Sequence, residues 1–369
     1  MLESCKFEGV RTLIHGGDPN CQHSMLTVQA RAVVILALCT LVACDAGPSG
    51  PQLSDEAASY LNAALDTMQT HHVYRRTRDW STFRRRVMER ADGAQVPQDT
   101  YSAIRYAVDA LDNHSSFSPP SNTSTQRADF PTTEVKPFSS KNTRQPPIQG
   151  VRLTDRIGYV KVPSFSGGLQ ESIEFADELQ GTVERVDSTT VCGWVVDLRS
   201  NHGGNMWPMV TGIGPVVGEG HLGSFVTPEA DTLKWHYENG ASVYEGDIMT
   251  AVSAPPYQLH RTFPPVAVLM GEQTASSGEA VLVAFQGRDR TKTFGHPTGG
   301  YTTAIRTFPL RDGAALYLAV AEFADRTGQV YKGKIYPDLR PNTAPSEIPT
   351  YADPIVDTAQ GWIENRPEC

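Results

Sequence analysis

Cysteine is scarce in this chain of 369 residues: there are six, Cys5, Cys21, Cys39, Cys44, Cys192 and Cys369. None of their spacings pairs ligands as a zinc site requires, and the chemistry read from the segments below needs neither metal nor organic cofactor. Cys192 lies inside an apolar run and reads as a small buried hydrophobe, and a disulfide to Cys369 is not the favoured reading. A basic excess is also lacking. Lys and Arg number 32 against 41 Asp and Glu, a formal charge of −9, which excludes the basic face of a nucleic-acid binder. The one short basic run, Arg84 to Arg86, falls in a helix-like stretch and reads as a solvated face. Nor does the chain lack core-forming residues: it is 39% hydrophobic and 20% charged, which excludes disorder throughout.

No apolar run reaches the roughly 20 residues needed to cross a bilayer. The longest near the start follows a short basic region, Met25 to Arg31, and runs from Ala32 to Leu38 before Leu41-Val42-Ala43-Cys44. That order is a secretory signal ending in a lipobox, similar to a bacterial lipoprotein precursor, with Cys44 as the lipidated residue. A plain signal peptide or anchor is the alternative. Residues 1–24 sit oddly before the basic region, which makes Met25 the expected start. The implied location is outside the cytoplasm, on a membrane of the bacterial envelope, and the membrane is then a partner through the lipid.

Two segments carry chemistry. Asp197-Leu198-Arg199-Ser200-Asn201-His202-Gly203-Gly204 follows the apolar run Val191 to Val196, and Thr274-Ala275-Ser276-Ser277-Gly278-Glu279 follows Val266 to Met270. Each precedes a helix-like stretch. A serine on a sharp strand-to-helix turn is exposed beside free N–H groups and the positive end of a helix dipole. A Gly-Gly pair lets bare backbone approach a substrate carbonyl and donate to a developing oxyanion. Taken singly, the second segment reads as a helix N-cap with a capping-box glutamate, and Gly203-Gly204 as an ordinary turn.

Together the two segments resemble the C-terminal processing, or tail-specific, serine peptidases, in which one strand ends in Asp-Leu-Arg-x-Asn-x-Gly-Gly and a later one in Ser/Thr-Ala-Ser-x-x-Glu. Gly295 to Gly300 is similar to the family's Gly-x-Pro-Thr loop, and Lys334 to Asp338 to its Ile-x-Pro-Asp segment. The resemblance spans roughly residues 150–345. It implies Ser276 as nucleophile and an oxyanion hole around Gly203, Gly204 and Ser277, with Ser277 contributing its N–H and serving as the runner-up nucleophile.

Most members of that family use a lysine base, and where that lysine falls this chain has Tyr301. A serine hydroxyl at neutral pH needs some base. Leu111-Asp112-Asn113-His114-Ser115-Ser116-Phe117 is similar to the Asp-Asn-His-Ser sequence of the nisin-resistance branch, whose site is a His/Ser dyad, so the resemblance implies His114 as base. Alone, His114 reads as a histidine at a helix C-terminus. His296 is the alternative base, His202 fills a variable slot of the motif, and His71-His72 read as solvated helix residues.

The remaining pattern fits an α/β class with a small helical domain before it, and the resemblance implies an α+β layered core of the tail-specific protease or crotonase-like type. The expected order is a signal region (1–43), a tether (44–54), a helical domain carrying His114 (55–117), a Ser/Thr/Pro-rich loop (118–149) and the core (150–369). Leu61, Leu65 and Met68 recur at helix spacing, as do Ile104, Val108 and Leu111 after Pro97 and an Asp99 N-cap. The 118–149 loop is too short for the PDZ domain many relatives insert there, since independent domains rarely fall below about 50 residues. Leu169, Ile173, Ala176, Leu179, Val183 and Val186 mark one helix. Residues 218–262 suggest a hairpin flap near the cleft, 302–309 and 314–323 strands about an Asp312-Gly313 turn, and 353–363 a closing helix. The expected activity is an endopeptidase cleaving extended peptides or protein C-termini. Its rivals are a peptide- or ligand-binding protein on the same fold and an esterase-like hydrolase.

Overall fold

Strands covered on both faces read as unbroken apolar runs, and in the computed structural model the two such runs become neighbours. The structure describes residues 52–112, 114–120, 147–340 and 353–369, all within one unit, Gly50–Cys369. The signal region, Cys44, most of the tether and residues 121–146 of the expected loop lie outside the described residues.

Three helices open the described chain: α1 (Asp55–His71), α2 (Trp80–Glu89) and α3 (Tyr101–Leu111), followed by the short strand β1 (Ser116–Ser118). Ser54 caps α1 by accepting from Ala57 N–H at 3.1 Å. Asp99 does not cap α3. It sits in a 3-10 turn, Pro97–Thr100, and its carboxylate accepts from the N–H groups of Gln95 (2.9 Å) and Val96 (3.2 Å), so it caps that turn and not the helix.

The core begins with β2 (Gln149–Thr154), β3 (Ile157–Lys161), α4 (Leu169–Val186), β4 (Gly193–Asp197) and α5 (Met206–Val217). A meander follows, β5 (Gly220–Val226), β6 (Thr232–Glu238), β7 (Ala241–Tyr244) and β8 (Asp247–Ala251). Then come β9 (Val266–Met270), α6 (Ser277–Phe285), β10 (Thr291–Gly295), β11 (Thr303–Pro309), β12 (Ala315–Asp325), β13 (Val330–Tyr331) and α7 (Pro354–Glu364). One sheet has the order β10-β9-β4-β3-β2, parallel except for β2. Its alternate residues divide between two cores. Val196, Val268 and Met270 join α4, α5 and α6 on one face, while Val195, Ala267 and Leu269 meet Ile355, Ala359 and Ile363 of α7 on the other. Of the expected α4 stripe, Leu169 is exposed, and Phe175, not foreseen, is buried.

The second sheet is antiparallel and centres on β12, which pairs with β1, β5, β11 and β13. Residues 218–262 do form antiparallel hairpins, but as part of the body of the fold: their four strands extend this sheet from β5, with Trp235 and Tyr237 buried in the main core. The helical segment packs on the same strand, with Leu316 and Leu318 inside its core. Ala319 ties it further, accepting from Val73 N–H (2.7 Å) and donating to Ser115 Oγ (3.1 Å).

Cys192 and Cys369 are joined in a disulfide across 177 positions, contrary to the expectation. The apolar strand does bury Cys192, but α7 brings the chain's end back beside it, a return that spacing does not reveal.

Candidate active site

Ser276 stands between β9 and α6 with φ 53° and ψ −118°, a backbone conformation rarely held by a residue with a Cβ. Such strain costs about 1–3 kcal/mol and persists only where its surroundings hold it. Glu279 holds it. The buried carboxylate accepts from Ser276 N–H (2.9 Å) and Tyr301 N–H (2.7 Å) through Oε2, and from Gly300 N–H (2.9 Å) and the Thr298 hydroxyl through Oε1. The glutamate foreseen as half of a capping box thus also clamps the loop 298–301 against the serine turn. Burial raises its pKa, and these four donors oppose the rise.

Asn201 locks the first segment to the second. Its side-chain N–H2 donates to the carbonyls of Val162 (3.1 Å) and Pro163 (3.2 Å), its Oδ1 accepts from Gly203 N–H (2.9 Å), and its carbonyl accepts from Ala275 N–H (3.0 Å). Upstream, Arg199 grips Asp197 with Nε and a terminal nitrogen and reaches Asp353 at the start of α7. At Gly203 (φ 101°) a Cβ would lie 2.9 Å from Ser276 Cβ and 3.0 Å from Ser277 N, so only glycine permits this approach. Because Gly203 N–H is taken by Asn201, the position contributes room. The N–H groups of Gly204 and Ser277 have no acceptor among the described residues. The Ser277 hydroxyl is committed to the Gly204 carbonyl at 2.5 Å.

His114, half-buried after α3, brings Nε2 to 3.1 Å from Ser276 Oγ, and its Nδ1 lies 2.8 Å from Thr303 Oγ1. With Nδ1–H donating to Thr303, the Nε2 lone pair faces the serine. Asp112 does not touch this ring. It accepts from the N–H groups of His114 and Ser115, from the Ser115 hydroxyl (2.7 Å) and from His72 Nε2. Burial alone would raise the Asp112 carboxyl, but these donors outweigh it and hold it at about 2. His72 is therefore not solvated: it is fully buried, with Tyr74 N–H donating to Nδ1 and its own Nε2–H donating to Asp112. His71 is stacked on Phe308. Burial lowers His114 to about 4, against the pull of Asp112 and Thr303. Tyr301 lies edge-on to the imidazole with ring centroids 5.2 Å apart. His296 Nε2 is buried without a partner among the described residues and makes no bond to Ser276. Among the described residues no group of His, Cys, Asp and Glu could hold a metal ion.

Beside Ser276 opens a cavity of about 560 Å³, walled by Met206, Trp207, Phe225, Leu233, Tyr244 and Phe323. Thr303 and the roles of His72, Asp112 and the cavity wall were not foreseen. Asp112 and Glu279 left a local trace in their turn and capping spacing, whereas Thr303 left none.

A strained serine, a histidine on its hydroxyl and open N–H groups beside it define a serine hydrolase type of site. The chain belongs to Peptidase family S41, whose profile matches residues 156–340, just over half of the sequence, and it is a serine-type peptidase. It is 27% identical over 300 residues to the nisin-resistance protein of Lactococcus lactis subsp. lactis, covering 81% of this chain and 86% of that one. To the carboxy-terminal processing protease CtpA of Bacillus subtilis (strain 168) it is 24% identical over 205 residues, 55% of this chain and 38% of that protein. Among solved structures, a lipoprotein from Streptococcus agalactiae superimposes with a TM-score of 0.61 at 21% identity, over 85% of this chain and 98% of that one. The photosystem II D1 C-terminal processing protease superimposes with 0.52 at 15% identity, over 78% and 94%. These two likenesses concern the fold.

Proposed function

We propose that this peptidase is exported, anchored through a lipid on Cys44, and cleaves extended peptides or protein C-termini with a His114/Ser276 dyad. The observation that carries the dyad is the 3.1 Å approach of His114 Nε2 to Ser276 Oγ with Nδ1 engaged by Thr303. His114 takes the hydroxyl proton as Oγ attacks the scissile carbonyl, and the N–H groups of Gly204 and Ser277 receive the oxyanion. The imidazolium returns its proton to the leaving amine. Water then enters and attacks the acyl carbonyl as His114 takes one of its protons; the ester C–Oγ bond breaks, the imidazolium returns the proton to Oγ, and the acid leaves free Ser276 and neutral His114. Tyr301 stands where most members of the family have a lysine, and its ring packs on the imidazole. The likeness to the nisin-resistance protein suggests a peptide antibiotic of that kind as one substrate.

A fluorophosphonate probe tests the nucleophile. Labelling of the intact chain should map to the peptide containing Ser276 and vanish in Ser276→Ala. Labelling that survives there and vanishes in Ser277→Ala would overturn the assignment. The anchor is tested in a bacterial host by fatty-acid labelling, which Cys44→Ser should abolish.

A further inference from the structure

The chain's formal charge is −9, yet the cavity beside Ser276 carries a surplus of positive charge. Its lining holds one carboxylate, Glu229, and two guanidinium groups, Arg75 and Arg306. Glu229 is already shared between Arg75 and Arg76. Arg306 has no carboxylate partner among the described residues. One terminal nitrogen donates to His71 Nδ1 at 2.8 Å, its guanidinium lies over Phe308 with 4.6 Å to the ring centroid, and its buried Nε has no acceptor among the described residues. Burial, and next the neighbouring Arg75, lower its pKa. A half-buried cation whose planar fork is only partly used is an incomplete site, and a carboxylate matches that fork in charge and geometry.

We propose that Arg306 anchors a carboxylate subsite: the apolar cavity takes a large side chain of the peptide, and the guanidinium pairs with a carboxylate of the same peptide. That carboxylate is an Asp or Glu side chain near the scissile bond, or the free C-terminus. The placement rests on the peptidase reading, because Ser276 and Arg306 line one cavity.

The test separates the two readings by measuring binding without catalysis. The full chain carrying Ser276→Ala is titrated with fluorescein-labelled hexapeptides that contain a central Phe or Leu. They come in pairs differing only in Glu against Gln beside it, or in a C-terminal acid against an amide. The carboxylate member of at least one kind of pair should bind about ten-fold more tightly, and which kind responds identifies the source. Adding Arg306→Met should erase the difference, and Arg306→Lys should restore part of it. Equal affinities within every pair, a preference that survives Arg306→Met, or no binding by any peptide would overturn the subsite. Fluorophosphonate labelling of Ser276 in Arg306→Met, with the native serine retained, checks that the variant is folded. Hydrolysis by the unmutated chain is read separately. Carboxylate-selective binding without hydrolysis would overturn the peptidase reading and leave the subsite standing, and hydrolysis indifferent to the carboxylate would do the reverse.

Discussion

Thr303 Oγ1 lies 2.8 Å from His114 Nδ1, although the two residues belong to elements on opposite edges of β12. β1, which His114 leads into, pairs with residues 315–317 of β12, and β11, which Thr303 begins, pairs with the same residues from the other side. The orienting partner of the imidazole is thus a hydroxyl delivered by the sheet, while Asp112 acts on the backbone of the turn.

Removing that hydroxyl with Thr303→Val should lower kcat by about ten-fold or more, because the tautomer that presents Nε2 to the serine loses its partner. Thr303→Ser should restore it. Near-normal turnover by the valine variant, measured on any cleaved peptide, would make Thr303 a packing residue only.

The pH profile follows from burial of the imidazole. With His114 lowered to about 4, the acid limb of kcat/KM should fall near pH 4, leaving activity nearly flat above about pH 6. The folded pKa is below the unfolded one, so between the two the unfolded chain binds more protons. The associated stability is full above about 6.5 and is lost progressively as pH falls toward 4. Tm against pH should show this slope in the native chain and less of it in His114→Ala.

Ser276 holds φ 53°, which glycine adopts at no steric cost. Ser276→Gly should therefore be more stable than Ser276→Ala in chemical denaturation, by about 1 kcal/mol, while both lose probe labelling. Equal stability would mean that the turn is unstrained.

Glu279→Gln replaces one acceptor oxygen by a donor, and each carboxylate oxygen faces two donors. The serine turn and the loop bearing Tyr301 should shift apart, lowering kcat by on the order of 100-fold with a smaller change in substrate affinity. An unchanged kcat would show that the strained turn does not need this clamp.

The disulfide joins the last residue to the strand entering Asp197. Paired Cys192→Ser and Cys369→Ser substitutions should cost about 2–4 kcal/mol and lower Tm, with reductant doing the same to the native chain. An unaltered Tm would mean that α7 holds its face of the sheet by packing alone.

What the sequence determined by itself is what local patterns encode. Val191 to Val196 and Val266 to Met270 announce strands buried on both faces, the glycines at 203 and 204 and the turn before Glu279 announce tight backbone, and helix spacing announces α1, α3 and α4. Family resemblance added Ser276, and the missing lysine directed attention to His114. Only the tertiary structure decided which groups meet. It buried His72 against Asp112, brought Cys369 to Cys192, joined residues 218–262 to the β12 sheet and set Thr303 against the imidazole. The physical reason is that hydrophobic period and turn chemistry act over a few residues. The partners of a buried polar group are chosen by strand register and packing between segments far apart in the chain, and nothing local records them.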